Sequence, residues 1–200
     1  MITKKLLVCM IILYMIIRII LIVIIVGAMG AFAINSMLNP ISDEEYEKSL
    51  EERCIGMHCD TKKLALLIHD KINEERKQYG LKELRWDSKL ALIAEKHSKD
   101  MGQREYFSHD TPEGLEPTDR ANREGYSCKK NLGIGIRVGV GENIYQIKGA
   151  IGGYENISDS VVEGWMDSPG HRQNILEKNY DRQGIGVAID NGWQITQNLC

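Results

Sequence analysis

The sequence predicts an α+β domain preceded by one transmembrane helix. A continuous apolar segment near the N-terminus, interrupted only by Arg18, is longer than the roughly 20 residues that span a bilayer core. Helical periodicity begins at Thr61, and alternating apolar residues dominate the C-terminal end. Helices first and strands later, with helices between them, are typical of helices packed over a small antiparallel sheet.

The chain divides into three parts. Residues 1–38 form the predicted membrane anchor, with the span within 6–38. Residues 39–61 form a polar, acidic linker, and residues 62–200 form the globular domain. Basic residues precede the most apolar stretch and acidic residues follow it. Because positive flanks stay in the cytoplasm, we expect a single-pass membrane protein whose globular domain is extracytoplasmic.

One charged residue, Arg18, lies within the apolar segment. An arginine at the bilayer centre costs roughly 2.5–3.5 kcal/mol, so we expect Arg18 near the cytoplasmic interface, where its long side chain reaches the headgroups. Ala31, Phe32 and Ala33 have the small-x-small pattern of a signal-peptide cleavage site, so secretion after cleavage behind Ala33 is the alternative. The apolar run is longer than that of an ordinary signal peptide, which favours an uncleaved anchor.

The overall charge is slightly negative. The chain has 25 Lys and Arg against 28 Asp and Glu, a net charge of −3, and no basic stripe stands out in the sequence. Nucleic-acid-binding domains carry basic patches that neutralise phosphates. The composition therefore predicts no nucleic-acid partner.

Four cysteines follow the anchor, namely Cys54, Cys59, Cys128 and Cys200. An even number is typical of disulfides in an oxidising compartment, and four cysteines allow three pairings. We favour a local Cys54–Cys59 bond with a Cys128–Cys200 bond. A zinc site made by Cys54, His58 and Cys59 is the alternative, but this short segment offers no fourth ligand.

Local signals predict the individual elements of the globular domain. Caps, breakers and periodicity mark the helices, and Asp190-Asn191-Gly192 is a strong hairpin turn. Gly-rich residues 131–141 read as an irregular loop. The predicted helices run from Thr61 to Gly80, after Asp87, over Asp119–Glu124, from Ser158 or Asp159 to Asp167, and over His171–Leu176; the predicted strands are Glu142–Ile147, Gly184–Ile189 and Trp193–Leu199.

Six segments in a fixed order carry a family resemblance. They read LIHDKINEERKQYGL (67–81), LRWDSKLALIAEKHSKDM (84–101), YFSHDTPEG (106–114), GENIY (141–145), VVEGWMDSPGHRQNIL (161–176) and GVAIDNGWQITQNL (186–199). Together they resemble the CAP superfamily of cysteine-rich secretory proteins, antigen 5 and plant pathogenesis-related proteins, and most closely its prokaryotic branch. The resemblance covers nearly all of the chain after residue 62. It implies an SCP-like three-layer α-β-α sandwich with a broad cleft.

The resemblance also implies a polar site in that cleft. Many family members hold two histidines and two acidic side chains there, and some bind a divalent metal. Matched residue by residue, the two histidines fall on His109 and His171, and the acid of the GEN motif falls on Glu142. The site would then hold a zinc or magnesium ion through His109, Glu142 and His171, because two imidazoles and a carboxylate are the ingredients of an open metal site.

The fourth family position departs from the pattern. In many eukaryotic members an acid lies three residues after the helix tryptophan, and here that position, counted from Trp165, is Ser168. Glu163 is the acid nearest to it in the sequence. Five residues along a helix exceed one turn, so Glu163 is a weaker cleft candidate than the other three.

Two roles are open for Glu142 besides ligation. It could orient a histidine as a neighbouring carboxylate, or act as the candidate general base of a hydrolase. A purely structural cluster, tying the loop after Phe107 to the last helix, is the third interpretation. His97 lies on the apolar stripe of the second helix and is expected to be a satisfied core histidine.

The predicted function is a membrane-anchored binding or interaction module whose ligand is a lipid, a glycan or a protein. The sequence has no HExxH helix and no GxSxG turn, so the common signatures of metalloproteases and α/β-hydrolases are missing. The alternative is a metal-dependent hydrolase, a peptidase or esterase, that uses the same cleft.

Overall fold

The computed structural model describes residues 59–131, 133, 135–149 and 152–200, together with Tyr14 and Ile17 and without the side chain of Arg137. Apart from Tyr14 and Ile17, the predicted span within 6–38 lies outside these residues, as do most of the linker and Cys54. Contacts divide the chain into two units, Met1–Ser49 and Leu50–Cys200, and the elements below belong to the second. Among the residues that the structure describes, no helix is long and apolar enough to cross a bilayer.

The second unit contains the predicted helices and strands in the predicted order, together with three short strands that were not predicted. The helices are α1 (Thr61–Gln78), α2 (Ser88–Gln103), α3 (Pro117–Arg123), α4 (Tyr154–Asp167) and α5 (Pro169–Ile175). The strands are β1 (Arg85–Trp86), β2 (Lys129–Asn131), β3 (Ile136–Val138), β4 (Gly141–Ile147), β5 (Arg182–Ile189) and β6 (Trp193–Leu199).

Helix starts depend on which side chain satisfies the first free N–H groups. Asp87 caps α2 as predicted, accepting from the backbone N–H of Lys89 and of Leu90. The predicted start of α3 at Asp119 was wrong: a capping box between Glu116 and Asp119 opens the helix at Pro117. The Thr118 hydroxyl accepts from Val140 N–H.

The predicted start of α4 was also wrong. The helix begins four residues earlier than Ser158, at Tyr154, with Gly153 as its N-cap. The Ser158 hydroxyl donates to the Glu155 carbonyl inside the helix rather than capping its first turn. A serine can lie inside a helix when its hydroxyl bonds to a carbonyl of the preceding turn. Ser158 is of a residue type that often caps helices, but here it does not mark the start of one.

The main sheet has the strand order β1-β5-β6-β4. The β5–β6 and β4–β6 pairs are antiparallel, as predicted, but β1 pairs with β5 in parallel, so the sheet is mixed. The predicted β5–β6 turn is confirmed, with Asn191 and Gly192 both at positive φ. The segment 131–141, expected to be an irregular loop, contains β3, which pairs antiparallel with β2 at the start of that segment.

Helices cover both faces of the main sheet. On β5, Ile185 and Val187 point into the core that α1 and α4 close. The alternate residues Gly184 and Gly186 face α2, and a Cβ added at Gly186 would lie 1.9 Å from the backbone nitrogen of Glu95. The absence of side chains at these two positions therefore lets α2 lie directly on the strand.

The Cys128–Cys200 disulfide is confirmed. It joins residues 72 positions apart with Cα atoms 5.6 Å from each other, and it ties the start of the β2–β3 sheet to the C-terminus. A bond that closes so long a loop restricts the unfolded chain, with a typical contribution of about 2–4 kcal/mol. Cys59 is also disulfide-bonded. Its predicted partner, Cys54, lies outside the described residues, so that pairing stays a prediction.

We predict that Gly186→Ala lowers the free energy of unfolding by about 3 kcal/mol, because the new methyl group overlaps the α2 backbone and forces the helix off the sheet. Urea unfolding of the full-length chain in detergent measures the change. Gly135→Ala is the matched control, since a Cβ at Gly135 meets nothing within 4 Å. Equal stability of the two variants would contradict direct packing of α2 on β5.

Candidate functional site

A buried carboxylate, Glu142, is the centre of the candidate site. Its side chain on β4 is only 1% exposed. One oxygen, Oε1, lies 3.0 Å from His109 Nδ1, and the other, Oε2, is paired with Arg120 Nη2. A carboxylate only accepts hydrogen bonds, so the Nδ1 of His109 carries the proton in this contact. Both oxygens of Glu142 are therefore occupied.

Arg120 connects Glu142 to the loop that carries His109. Besides Glu142, the guanidinium of Arg120 donates to the backbone carbonyls of His109, at 2.6 Å, and of Leu115, at 2.9 Å. The Arg120 side chain is 10% exposed. Because a buried charge is tolerated only when it is paired, the ion pair and the position of the loop depend on each other.

His171 lies in the first turn of α5, opposite His109. The two imidazole centroids are 6.5 Å apart, with the ring planes inclined by 60°. The backbone carbonyl of His171 accepts from Asn143 Nδ2 at 3.1 Å, and Asn174 Nδ2 donates to the Glu142 carbonyl at 3.0 Å. These two amides hold α5 against β4. The Nδ1 atom of His171 is buried and has no hydrogen-bond partner among the described residues.

The two facing histidines differ in their affinity for a proton. The hydrogen bond to Glu142 raises the pKa of His109 above its ordinary value, against the opposing effect of burial. Burial, followed by repulsion from His109, lowers the pKa of His171. As the pH falls, His109 therefore takes up its second proton before His171 does.

The structure brings together the three cleft residues that the family resemblance implied: His109, Glu142 and His171. We call these three residues and Arg120 the paired-histidine site. Glu163 is exposed on α4, and no hydrogen bond or ion pair in the described part of the chain joins it to the site. Ser168 lies between α4 and α5, where it is the C-cap of one helix and the N-cap of the next.

Two residues beside the carboxylate were not among the predicted site residues. His97 is buried, as expected of a core histidine, and its Nε2 donates to the Ser108 carbonyl at 3.0 Å. The same nitrogen lies 3.8 Å from Glu142 Oε1, so His97 also forms the wall of the site. Burial lowers the pKa of His97, which favours its neutral form. No motif in the sequence marks Arg120 as a site residue. The only indication is general: a buried acid needs a cation beside it.

The donors of the paired-histidine site match a divalent metal incompletely. Within the described ranges, no group of three or more His, Cys, Asp or Glu side chains is arranged to hold a metal ion. The reason lies at Glu142, because an oxygen paired with a guanidinium is a poor ligand and the other oxygen orients His109. Two imidazoles remain, fewer than the three protein ligands of a typical catalytic zinc site.

We predict that His109 titrates above, and His171 below, the ordinary histidine pKa of about 6.5. In Glu142→Gln the pKa of His109 falls, because a neutral amide stabilises the imidazolium less than a carboxylate does. Histidine ring signals in nuclear magnetic resonance (NMR) spectra of the full-length chain, recorded across pH, measure both values. A His109 pKa below that of His171 in the unmodified protein would contradict the geometry.

Arg120→Met is expected to lower the free energy of unfolding by about 3 kcal/mol, because it leaves the Glu142 carboxylate buried without its cation. Adding Glu142→Gln to that variant is expected to recover part of the loss by removing the unpaired charge. Urea unfolding measures each step. The control is Arg123→Met, an exposed position three residues further along α3, where little change is expected.

Comparison with known proteins places this architecture in a family. The family model described as the cysteine-rich secretory protein family (CAP) matches residues 69–199. The chain is similar to an extracellular protein from Bacillus anthracis str. Ames that contains an SCP domain, with 28% identity and a TM-score of 0.55. That match covers 80% of this chain and 44% of the other.

Two curated relatives come from Bacillus subtilis (strain 168). The chain is 37% identical over 127 residues to the uncharacterized protein YkwD. That match covers 64% of this chain and 43% of YkwD. The chain is also 34% identical over 121 residues to the uncharacterized membrane protein YlbC. That match covers 60% of this chain and 30% of YlbC. The matches thus span less than half the length of these relatives. The family match, the mixed α/β fold and the ordered motifs agree: the chain belongs to the cysteine-rich secretory protein (CAP) family.

Proposed function

We propose that this chain is a membrane-tethered, extracytoplasmic binding module, and that its paired-histidine site holds an anionic oxygen group of a lipid, glycan or protein ligand. Support for the location comes from the charge flanks of the apolar segment and the Cys128–Cys200 disulfide. The names of two relatives, an extracellular protein and a membrane protein, agree with it.

The proposal rests on one observation: both carboxylate oxygens of Glu142 already have hydrogen-bond partners. A general base needs a free carboxylate oxygen within reach of the proton that it removes. At Glu142 one oxygen pairs with Arg120 and the other with His109, and the side chain is 1% exposed. Glu142 therefore orients His109 instead of abstracting a proton, which favours binding over hydrolysis.

The charges of the site select the ligand. When His109 is protonated, His109 and Arg120 supply two positive charges against the single negative charge of Glu142. The His109 side chain is 48% exposed, and its Nδ1 is held by Glu142, so Nε2–H is the donor left for a ligand. His171 adds a neutral ring on the opposite side. A carboxylate or phosphate oxygen fits such a donor, because hydrogen bonds between charged groups are the strong ones.

We predict that phosphate and acetate shift the ring signals of both His109 and His171 in NMR titrations of the full-length chain in detergent, whereas choline does not. Affinity is expected to fall as pH rises through the pKa of His109, because deprotonation removes the net positive charge. His109→Gln is expected to weaken binding at least about tenfold, the effect of losing one charge-assisted hydrogen bond. Lys99→Gln, an exposed cation on α2, is the matched control.

Calorimetric titration with zinc and magnesium tests the competing metal site. The proposal expects neither metal to bind one-to-one with an affinity that depends on Glu142. Stoichiometric zinc binding that is lost in His109→Ala, in His171→Ala and in Glu142→Gln would contradict it and assign the three side chains to a metal. Anion titrations in which neither ring responds would also contradict it.

A further inference from the structure

A chain of buried amide side chains runs from α5 through the sheet to α1. Asn174 Nδ2 donates to Asn143 Oδ1 at 2.8 Å, Asn143 Nδ2 to Gln197 Oε1 at 2.7 Å, and Gln197 Nε2 to Gln183 Oε1 at 2.6 Å. The last nitrogen, Gln183 Nε2, lies 2.8 Å from His69 Nδ1. We call the four amides the amide chain. Three of its members, Asn143, Gln183 and Gln197, have no exposed surface.

Strand register places these amides in one row. Asn143 on β4 is the cross-strand partner of Gln197 on β6. Gln183 on β5 pairs with Leu199, two residues along β6 from Gln197, so the two glutamines are diagonal neighbours on one face. A buried amide without partners costs roughly 1–3 kcal/mol, so each amide must point its NH₂ group at the oxygen of the next.

Backbone carbonyls set the direction of the amide chain at the α5 end. Asn143 Nδ2 also donates to the His171 carbonyl, and Asn174 Nδ2 also donates to the Glu142 carbonyl. A carbonyl only accepts, so neither asparagine can be reversed without losing a bond. Every donor in the chain then points towards α1, and Gln183 presents its NH₂ group to His69.

His69 must therefore offer a lone pair at Nδ1. Its other ring nitrogen, Nε2, lies 3.3 Å from the NH₂ group of Asn73. The Asn73 amide is fixed in turn by Leu84, which accepts at its carbonyl and donates from its N–H. Both nitrogens of the ring thus face amide donors. A neutral imidazole has one acceptor nitrogen, which Gln183 uses, whereas a protonated imidazole has none.

We propose that His69 is a positioning residue for the paired-histidine site: its neutral ring terminates the amide chain, and protonation of the ring breaks the contact with Gln183 and loosens the hold of Asn143 on His171. The inference deepens the proposed function, since it names a control on the same site. It needs no ligand to be tested, because the position of His171 is itself the readout.

The surroundings of His69 determine the pH at which its ring takes up a proton. Burial lowers the pKa of His69, and the charges of Asp70 and Glu83 oppose that effect. The rings of His69 and Trp86 are also nearly perpendicular to each other, with centroids 5.4 Å apart. The ring is therefore neutral at neutral pH and takes up a proton only on acidification. The charged residues that line the same cavity of about 400 Å³ are Asp70, Glu74 and Lys77 on α1, Glu83 in the following loop, and Arg85 on β1.

The test follows the ring signal of His171 by NMR across pH in the full-length chain in detergent. In the unmodified protein we expect a first response from the titration of His171 and of its neighbour His109, and a second inflection at the pH where His69 titrates. His69→Gln keeps an acceptor oxygen for Gln183 and cannot titrate. That variant is expected to lose the second inflection while the neutral-pH signal of His171 stays unchanged.

Two further variants complete the test. His69→Leu removes the acceptor, so the His171 signal should be displaced at every pH. Asp70→Asn removes a charge that favours the protonated ring, so the second inflection should move to lower pH while the fold is kept. Identical His171 titrations in the unmodified protein and in His69→Gln would overturn the inference.

The two proposals fail separately. If anions do not bind but the second inflection disappears in His69→Gln, the proposed function fails and the coupling stands. If anions bind with the same pH dependence and the same His171 titration in His69→Gln as in the unmodified protein, the coupling fails and the proposed function stands.

Discussion

The buried carboxylate of Glu142 is the constraint on which the rest of the site depends. A charge at 1% exposure requires a cation, and Arg120 supplies it. The same guanidinium binds the loop of His109 through two backbone carbonyls. The residue that neutralises Glu142 therefore also positions the loop. The remaining carboxylate oxygen sets the tautomer of His109 and raises its pKa. The chemistry that the site can perform follows from this occupancy.

Consecutive residues of β4 connect the two sides of the sheet. Because side chains alternate along a strand, Glu142 points to the α2 side, where His97 and Arg120 lie, and Asn143 points to the side of α5. The carboxylate orients His109, and the amide holds the backbone of His171. A step of one residue in the sequence therefore places two histidines from different layers opposite each other. Small residues on β5 complete the arrangement by letting α2 lie against the sheet.

The core of the domain is apolar at one end and polar at the other. Near Trp165 and Ile195 the space between helices and sheet is apolar, whereas the end near α5 contains the amide chain. Buried amides add directionality that apolar packing lacks, because each donor needs one particular acceptor. This directionality is what allows a single ring at α1 to influence a backbone carbonyl in α5.

The sequence by itself determined the family, the order of the helices and of the three long strands, and three of the site residues, because these rest on local signals: motif spacing, the Asp87 cap and the Asn191-Gly192 turn. Even the Cys128–Cys200 pair could be chosen from a short set of pairings. Only the tertiary structure decided the role of Glu142, since its cation lies 22 residues away on a helix without a distinctive motif. The contact between His69 and Gln183, 114 residues apart, was equally beyond sequence reasoning. Such contacts arise from strand register and helix packing, which no local pattern of residues specifies.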